Sequence, residues 1–330
     1  MTRSKLDEFK VIKYNQSQRL VWNTFVSNSK NATFLFHRDF MEYHQNRFED
    51  FSLMIYKGDH LQAVLPASIH ENILNSHQGL SYGGLVLSKK VKFETVIKVF
   101  YSVLKYLDHL DIHTCKIKLL PKIYHQLPSD EIDYLLFKTQ AQLHRRDVSM
   151  VIDYTNKLEA SSNRKRNLKR SKTNKVSVCE LDGFEAFFNQ ILIPNLKQKY
   201  QTLPTHTLEE IKALKLKFPK NIRQFNAYHN NDIIAGVTIF ESPQVAHAQY
   251  ISTVSSKNEL GGLDAIFDVL INETFSVKRY FSFGISNENQ GQHINKGLLN
   301  WKESFGAKPI THDFFTINTK NYSLLKDVMI

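Results

Sequence analysis

Only two cysteines occur in the sequence, Cys115 and Cys179, far apart and in neither a CxxC nor a CxxH context. That excludes a disulfide framework and a paired-thiolate zinc site, leaving reduced, buried thiols. Glycine and proline are also scarce, 12 and 8 in 330 residues, which excludes collagenous and low-complexity chains. No apolar run is long enough to cross a bilayer, since even Leu61 to Ile69 is broken by Pro66 and Ser68, so no membrane insertion is expected. Met1 to Asn15 lacks the apolar centre of a secretory signal, and a cytoplasmic protein is expected. GxSxG, HExxH and P-loop patterns are missing too, which disfavours those reaction classes and gives no reason to expect a metal.

What is present describes a globular chain, 42% hydrophobic and 12% aromatic, of a length that favours two domains. The formal charge of +11 suggests an anionic partner. Most of that excess is local: Arg164, Lys165, Arg166, Lys169, Arg170, Lys172 and Lys175 fall in one segment without an acid. Such a run is either a solvated helix face or a phosphate-contacting surface. Its lack of aromatic residues weakens a base-stacking reading.

The first half reads as a strand at Phe9 to Tyr14, a helix at Ser17 to Val26, a hairpin of Phe51 to Tyr56 with Leu61 to Ile69, and a strand at Gly79 to Leu87. A helix at Phe93 to Leu110, a strand at Cys115 to Leu120, a helix after Pro128 and a strand at Val148 to Ile152 follow. The second half repeats this grammar. A basic helix, a strand at Val176 to Cys179 and a Phe-rich helix after Asp182 precede a hairpin turning at His229 to Asp232. Strands at Ala246 to Thr253 and Tyr280 to Ser286 then alternate with helices at Gly261 to Phe275 and Gln290 to Phe305. A boundary between Asp153 and Ser162 divides the chain into 1–155 and 156–330.

The central feature is a strand running through Ser255-Ser256-Lys257-Asn258-Glu259-Leu260 into Gly261-Gly262 and an amphipathic helix marked by Leu263, Ile266, Phe267, Leu270 and Ile271. Small residues at a helix start let backbone N–H groups approach an anion such as a pyrophosphate. The alternative is that the glycine pair only makes a turn.

This loop and helix, followed by Tyr280 to Ser286 and Trp301-Lys302-Glu303-Ser304-Phe305-Gly306-Ala307, resemble the second half of a GNAT acyltransferase. The family's cofactor loop, Gln/Arg-x-x-Gly-x-Gly/Ala, places Asn258 first, Gly261 at its first glycine and Leu263 last, a partial match. Ser161 to Lys172 resembles the basic helix that opens the second domain of Fem-type transferases, and Thr33-Phe34 to Phe40 and Gly83-Gly84 extend the likeness in element order. The resemblance implies an α/β protein of two tandem GNAT-like domains, each a mixed twisted sheet flanked by helices, with the donor site in the second and the first on the acceptor side. It implies an N-acyltransferase moving an acyl group, acetyl foremost, from acetyl-CoA or another acyl-CoA to an amine of a sugar or cell-envelope precursor. Aminoacyl-tRNA is the alternative donor, less favoured because no charged helical hairpin is seen. A third reading is a non-catalytic nucleic-acid or polysaccharide binder on the same scaffold.

On this reading Thr253, Ser255, Ser256, Lys257, Asn258, Leu260, Gly261, Gly262 and Leu263 hold the donor. His247, Tyr250 and Glu288 handle protons. His247 and Gln249 share one face of a regular strand and Tyr250 takes the other, so the three meet only if a bulge intervenes. His77, Tyr82, Gln249, Asn287, Asn289 and Gln290 are expected to contact the acceptor. Each has a plain alternative: core packing for His247 and Tyr250, helix capping for Glu288, an ordinary loop for His77 and Tyr82.

Overall fold

The computed structural model describes residues 8–329, so the first seven residues of the Met1–Asn15 stretch lie outside the described residues. The chain divides into two compact units, Met1–Arg146 with Thr311–Ile330, and Asp147–Ile310.

In the first unit, β1 (Phe9–Lys13), β2 (Leu53–Lys57) and β3 (His60–Leu65) pair antiparallel, and Val86–Leu87 extends the sheet beyond β3. The hairpin turns at Gly58, whose φ of +57° suits glycine. β4 (Ile73–Ser76) runs parallel to β5 (Thr114–Lys118), and α2 (Phe93–Asp108), which follows α1 (Arg19–Ser27), makes the crossover. The apolar stripe of α2, Val96, Ile97, Phe100, Val103, Leu104 and Leu107, is buried in the core of this unit. α3 (Glu131–Lys138) packs beside it. Gly79 to Leu87 is paired strand only at its end. Gly84 takes φ +96° and Gly83 presses against the Ser76 carbonyl, where a Cβ would stand 1.8 Å away, so this stretch turns rather than extends.

The second unit takes one end of β6 (Gln142–Asp153), then α4 (Ser162–Thr173), β7 (Ser177–Leu181), α5 (Ile193–Tyr200) and α6 (Leu208–Lys217). β8 (Ile222–His229), β9 (Asp232–Glu241), β10 (Val245–Thr253), α7 (Gly262–Val269), β11 (Tyr280–Ile285) and α8 (Lys296–Glu303) follow. β12 (Lys308–Asn318) leads back to the first unit, where Phe314–Asn318 pairs with β5. The strand order in the second unit is β7-β8-β9-β10-β11-β6, antiparallel except for β10 beside β11. α7 and the wider helical turn Leu270–Thr274 that continues it lay Ile266, Phe267, Leu270 and Ile271 on one face of this sheet, against Ala235, Val237, Ala246, Ala248, Phe281 and Phe283. On the other face Phe187 lies against Gly236 so closely that a Cβ there would stand 2.2 Å from its ring.

Caps fix the helix starts. Ser161 accepts the Arg164 N–H at the start of α4, and Thr207 and Glu210 form a reciprocal capping box on α6. The expected helix from Gln290 begins only at Lys296. Asn289, Gln290 and Gly291 take left-handed conformations, Asn287–Glu288 pairs with His293–Ile294 in a small hairpin, and Asn295 caps α8.

Candidate active site

β10 and β11 are ladder partners only at Val245–Tyr280, Ala246–Phe281 and His247–Ser282. Just beyond, both strands are irregular. On β10, Ala248 faces Ile239 and Tyr250 faces Thr238, so Gln249 is an extra residue. On β11 the register against β6 shifts between Ser282 and Ile285, where Gly284 takes φ +72°. Bulges bend strands and strengthen their twist, and two of them on neighbouring parallel strands end the ladder there.

The Gln249 bulge also resets which side chains share a face. Ala248 and Ile251 both join the α7 core, so His247 and Tyr250 lie together on the opposite face. There the His247 Nδ1 is 3.1 Å from Ser282 Oγ, and the Gly284 backbone passes so near that a Cβ would stand 3.3 Å from His247 Cε1. The Tyr250 hydroxyl accepts the His206 backbone N–H at 3.1 Å, lies 2.7 Å from His206 Nδ1, and has the Phe188 ring edge-on at 5.6 Å. Burial pushes the phenol up to about 12, so it is a hydrogen-bonding group and not an anion at neutral pH.

Behind Gly284 stands Lys302, on α8 and only 2% exposed. Its Nζ donates to the carbonyl oxygens of Gly284, at 3.0 Å, and Ile285. Burial pushes this ammonium down to about 7. An ammonium has three N–H groups, and two carbonyls leave one for another acceptor. Buried lysines whose ammonium is disfavoured in this way cluster at functional sites.

No protein-family model matches the sequence, and no curated protein does. Among solved structures, FemX superposes with a TM-score of 0.65, covering 96% of this chain and 99% of its own at 8% identity. L-PGS from Bacillus licheniformis gives 0.57 over 94% and 93%, also at 8% identity. A tandem GNAT protein from the clavulanic acid biosynthesis pathway gives 0.51 over 94% and 99%, at 10% identity. The chain has a Fem-like tandem GNAT fold.

In this Fem-like fold the glycine pair does close packing. Gly261, at φ +78°, lies under α4, where a Cβ would stand 2.9 Å from the Asn167 carbonyl oxygen and 3.1 Å from Ser171 Cβ. Gly262 meets Ile234 at 3.0 Å in the same sense. Both are buried, and α4 thus roofs the start of α7. Asp264, in the first turn of α7, forms an ion pair with Arg164 at 2.8 Å, and desolvation raises its carboxyl above the ordinary range. A helix start of this kind already holds its own anion. The preceding Ser255–Leu260 is a short 3-10 turn in which Lys257 pairs with Asp232 at 2.9 Å, Leu260 packs on the core, and Ser255, Ser256 and Asn258 are exposed. Thr253 Oγ1 donates to the Ile234 carbonyl at 3.0 Å, and Leu263 is half-buried on α7.

The other expected residues scatter. Glu288 is exposed and accepts from Asn295 Nδ2 at 2.7 Å. Asn287 is a buried tie, accepting the Val148 N–H at 2.7 Å and donating to Asp147 at 2.9 Å. Asn289 and Gln290 form the exposed tip of the small hairpin. His77 and Tyr82 are buried in the first unit, where the Tyr82 hydroxyl donates to Thr33 at 2.9 Å and burial pushes His77 down to about 3. The structure therefore puts His247 and Tyr250 on one face of β10, with Ser282 beside His247, with Gln249 and His206 beside Tyr250, and with Lys302 against the Gly284 carbonyl. None of Ser282, His206 and Lys302 carried a sequence signal of its own: Lys302 and Glu303 both lie between Trp301 and Phe305, which pack on the core, and only the fold shows which of the two charges is buried. Among the described residues no group of three or more His, Cys, Asp or Glu could hold a metal ion, and no helix is long and apolar enough to cross a membrane.

Proposed function

We propose that the second unit transfers an acyl or aminoacyl group to an amine, with the donor carbonyl held where β10 and β11 part. The observation that carries this reading is Lys302, buried at that opening with its ammonium on the carbonyls of Gly284 and Ile285. The amine nitrogen attacks the donor carbonyl carbon, and the C=O electron pair moves onto oxygen. The pair returns as the bond to the carrier's oxygen or sulfur breaks, and the nitrogen loses a proton. An ammonium in a dry site stabilises the transient oxyanion. His247, oriented through Ser282, takes the amine's proton. The leaving group takes up a proton, so charge balances.

For the donor, the roofed start of α7 and the acid at Asp264 weigh against a pyrophosphate at Gly261-Gly262 and hence against acyl-CoA bound in the GNAT manner. The outer row of α4 favours an RNA-borne ester: Arg166, Lys169 and Lys172 are exposed and have no acidic partner among the described residues. Such a row suits a phosphodiester backbone. The acceptor in this reading is an amine-bearing sugar or envelope precursor, and the reaction is cytoplasmic.

Purified protein incubated with an amino-sugar acceptor and either mixed aminoacyl-tRNA or acetyl-CoA tests this reading by mass spectrometry of the acceptor. Product is expected with aminoacyl-tRNA. Product from acetyl-CoA alone would reverse the donor assignment, and a Lys302→Met variant that keeps full activity would remove the lysine from the chemistry.

A further inference from the structure

Phe93, Tyr134 and Phe137 form a chain of aromatic rings on the surface of the first unit. Phe93 opens α2, and Tyr134 and Phe137 lie three positions apart on one side of α3, whose Ile132, Leu135 and Leu136 are buried in the core. The ring centres stand 5.6 Å apart from Phe93 to Tyr134 and 6.4 Å from Tyr134 to Phe137, yet the three residues are 41%, 41% and 75% exposed. Large apolar side chains gathered in solvent mark an interaction surface.

The charge around these rings is one-sided. Every acid within 88–98 and 127–140 already has a cation: Glu94 pairs with Lys98 at 2.8 Å, Asp130 and Asp133 with Lys122 at 2.8 Å and 3.4 Å, and Glu131 with Lys30. Lys89, Lys90 and Lys92, exposed in the turn that leads into Phe93, have no acidic partner among the described residues, and neither has Lys138 beside Phe137.

The ring geometry narrows the partner. Phe93 and Tyr134 meet at 61° and Tyr134 and Phe137 at 50°, so the rings offer successive nucleic-acid bases no common stacking plane. A second copy docked about a two-fold axis would bring four unmatched lysines against four of their own kind. Apolar rings bordered by lysines fit the surface of an anionic bilayer, where rings enter the acyl boundary and ammonium groups stay among the headgroups.

We propose that this face of the first unit docks on an anionic lipid surface, with Phe137 entering deepest and Lys89, Lys90, Lys92 and Lys138 on the headgroups. The chain then lies on the bilayer and does not span it. The inference stands apart from the transfer reading.

Co-sedimentation of the full chain with vesicles of mixed phosphatidylglycerol and phosphatidylcholine, against phosphatidylcholine alone, tests it. Binding to the mixed vesicles that falls as salt is added is expected. Phe137→Ser should weaken it about tenfold, and Lys89→Gln combined with Lys90→Gln and Lys92→Gln at least about tenfold, with circular dichroism unchanged. Because the whole chain is basic, with a formal charge of +11, Phe137→Trp locates the contact. Its added emission should shift to the blue on mixed vesicles, and still do so when Arg166, Lys169 and Lys172 are replaced by glutamine. No blue shift, equal binding to phosphatidylcholine, or binding unchanged in both weakening variants would overturn the proposal. A tRNA affinity or a dimer, measured without lipid, that these same variants abolish would overturn it too, giving the face to RNA or to a second copy.

Discussion

Lys302 Nζ lies 3.0 Å from the carbonyl oxygen of Gly284, the residue whose left-handed turn bends β11 away from β10. The buried cation and the strand irregularity are thus one arrangement: the kink turns carbonyl oxygens toward α8, and the lysine binds them.

If that ammonium stabilises the oxyanion, Lys302→Met should lower kcat about 100-fold, the scale of losing one such donor, with little change in KM. Lys302→Arg keeps the charge and should retain more of the rate. Steady-state kinetics on both, with circular dichroism to confirm the fold, decide the point; a rise in KM alone would mark a binding role.

Stability should carry a pH signature of the same residue. Its folded value of about 7 is below the ordinary 10.5, so between these values the unfolded chain holds a proton that the folded one has released. Stability contributed by this group therefore rises with pH across that window, and the burial penalty is fully present below it. Urea unfolding at about pH 6 and about pH 9 should show Lys302→Met gaining on the wild type more at the lower pH, after subtracting the lost carbonyl bonds common to both. A difference between the proteins that does not vary with pH would contradict the shifted lysine.

Gly261→Ala tests the roof over α7. The φ of +78° alone should cost about 1–2 kcal/mol for a residue with a Cβ, and the 2.9 Å approach to the Asn167 oxygen adds to it. Denaturant titration should show the loss, and limited proteolysis should show α4 cut sooner. An unchanged midpoint would mean that α4 yields freely.

The outer row of α4 makes an electrostatic prediction. Replacing Arg166, Lys169 and Lys172 by glutamine should flatten the dependence of tRNA affinity on salt, by roughly 0.7–0.9 in log–log slope for each phosphate that is no longer neutralised. Fluorescence anisotropy over a salt series measures it. A slope equal to that of the wild type would leave this face to solvent alone.

Much of the fold was legible in the sequence because it is local. The hairpin turning at His229 to Asp232, the apolar stripes of α2 and α7, and the basic helix after Ser161 are written in spacing and caps that need no distant partner. The parts of the site that were not legible are tertiary. A lysine on a short helix reads as a solvated charge until Gly284 and Ile285 bring their carbonyls to it. Asp264 reads as a favourable acid at a helix start, and nothing in its neighbours reveals that Arg164, a hundred positions earlier, closes over it. The late start of α8 follows from left-handed residues at Asn289 and Gln290, which composition does not force. His77 and Tyr82 read as a polar loop because the residues that bury them, His44 and Phe48 for the one and Thr33, Phe36 and Tyr124 for the other, are some 30 to 50 positions away.

The extra residue at Gln249 makes β10 a strand written in two reading frames. Up to Ala248 the even-numbered side chains serve the core; from Tyr250 onward the odd-numbered ones do. Tyr250 therefore meets His206 because of a single inserted position, and the geometry of this face is set by chain length as much as by side-chain identity.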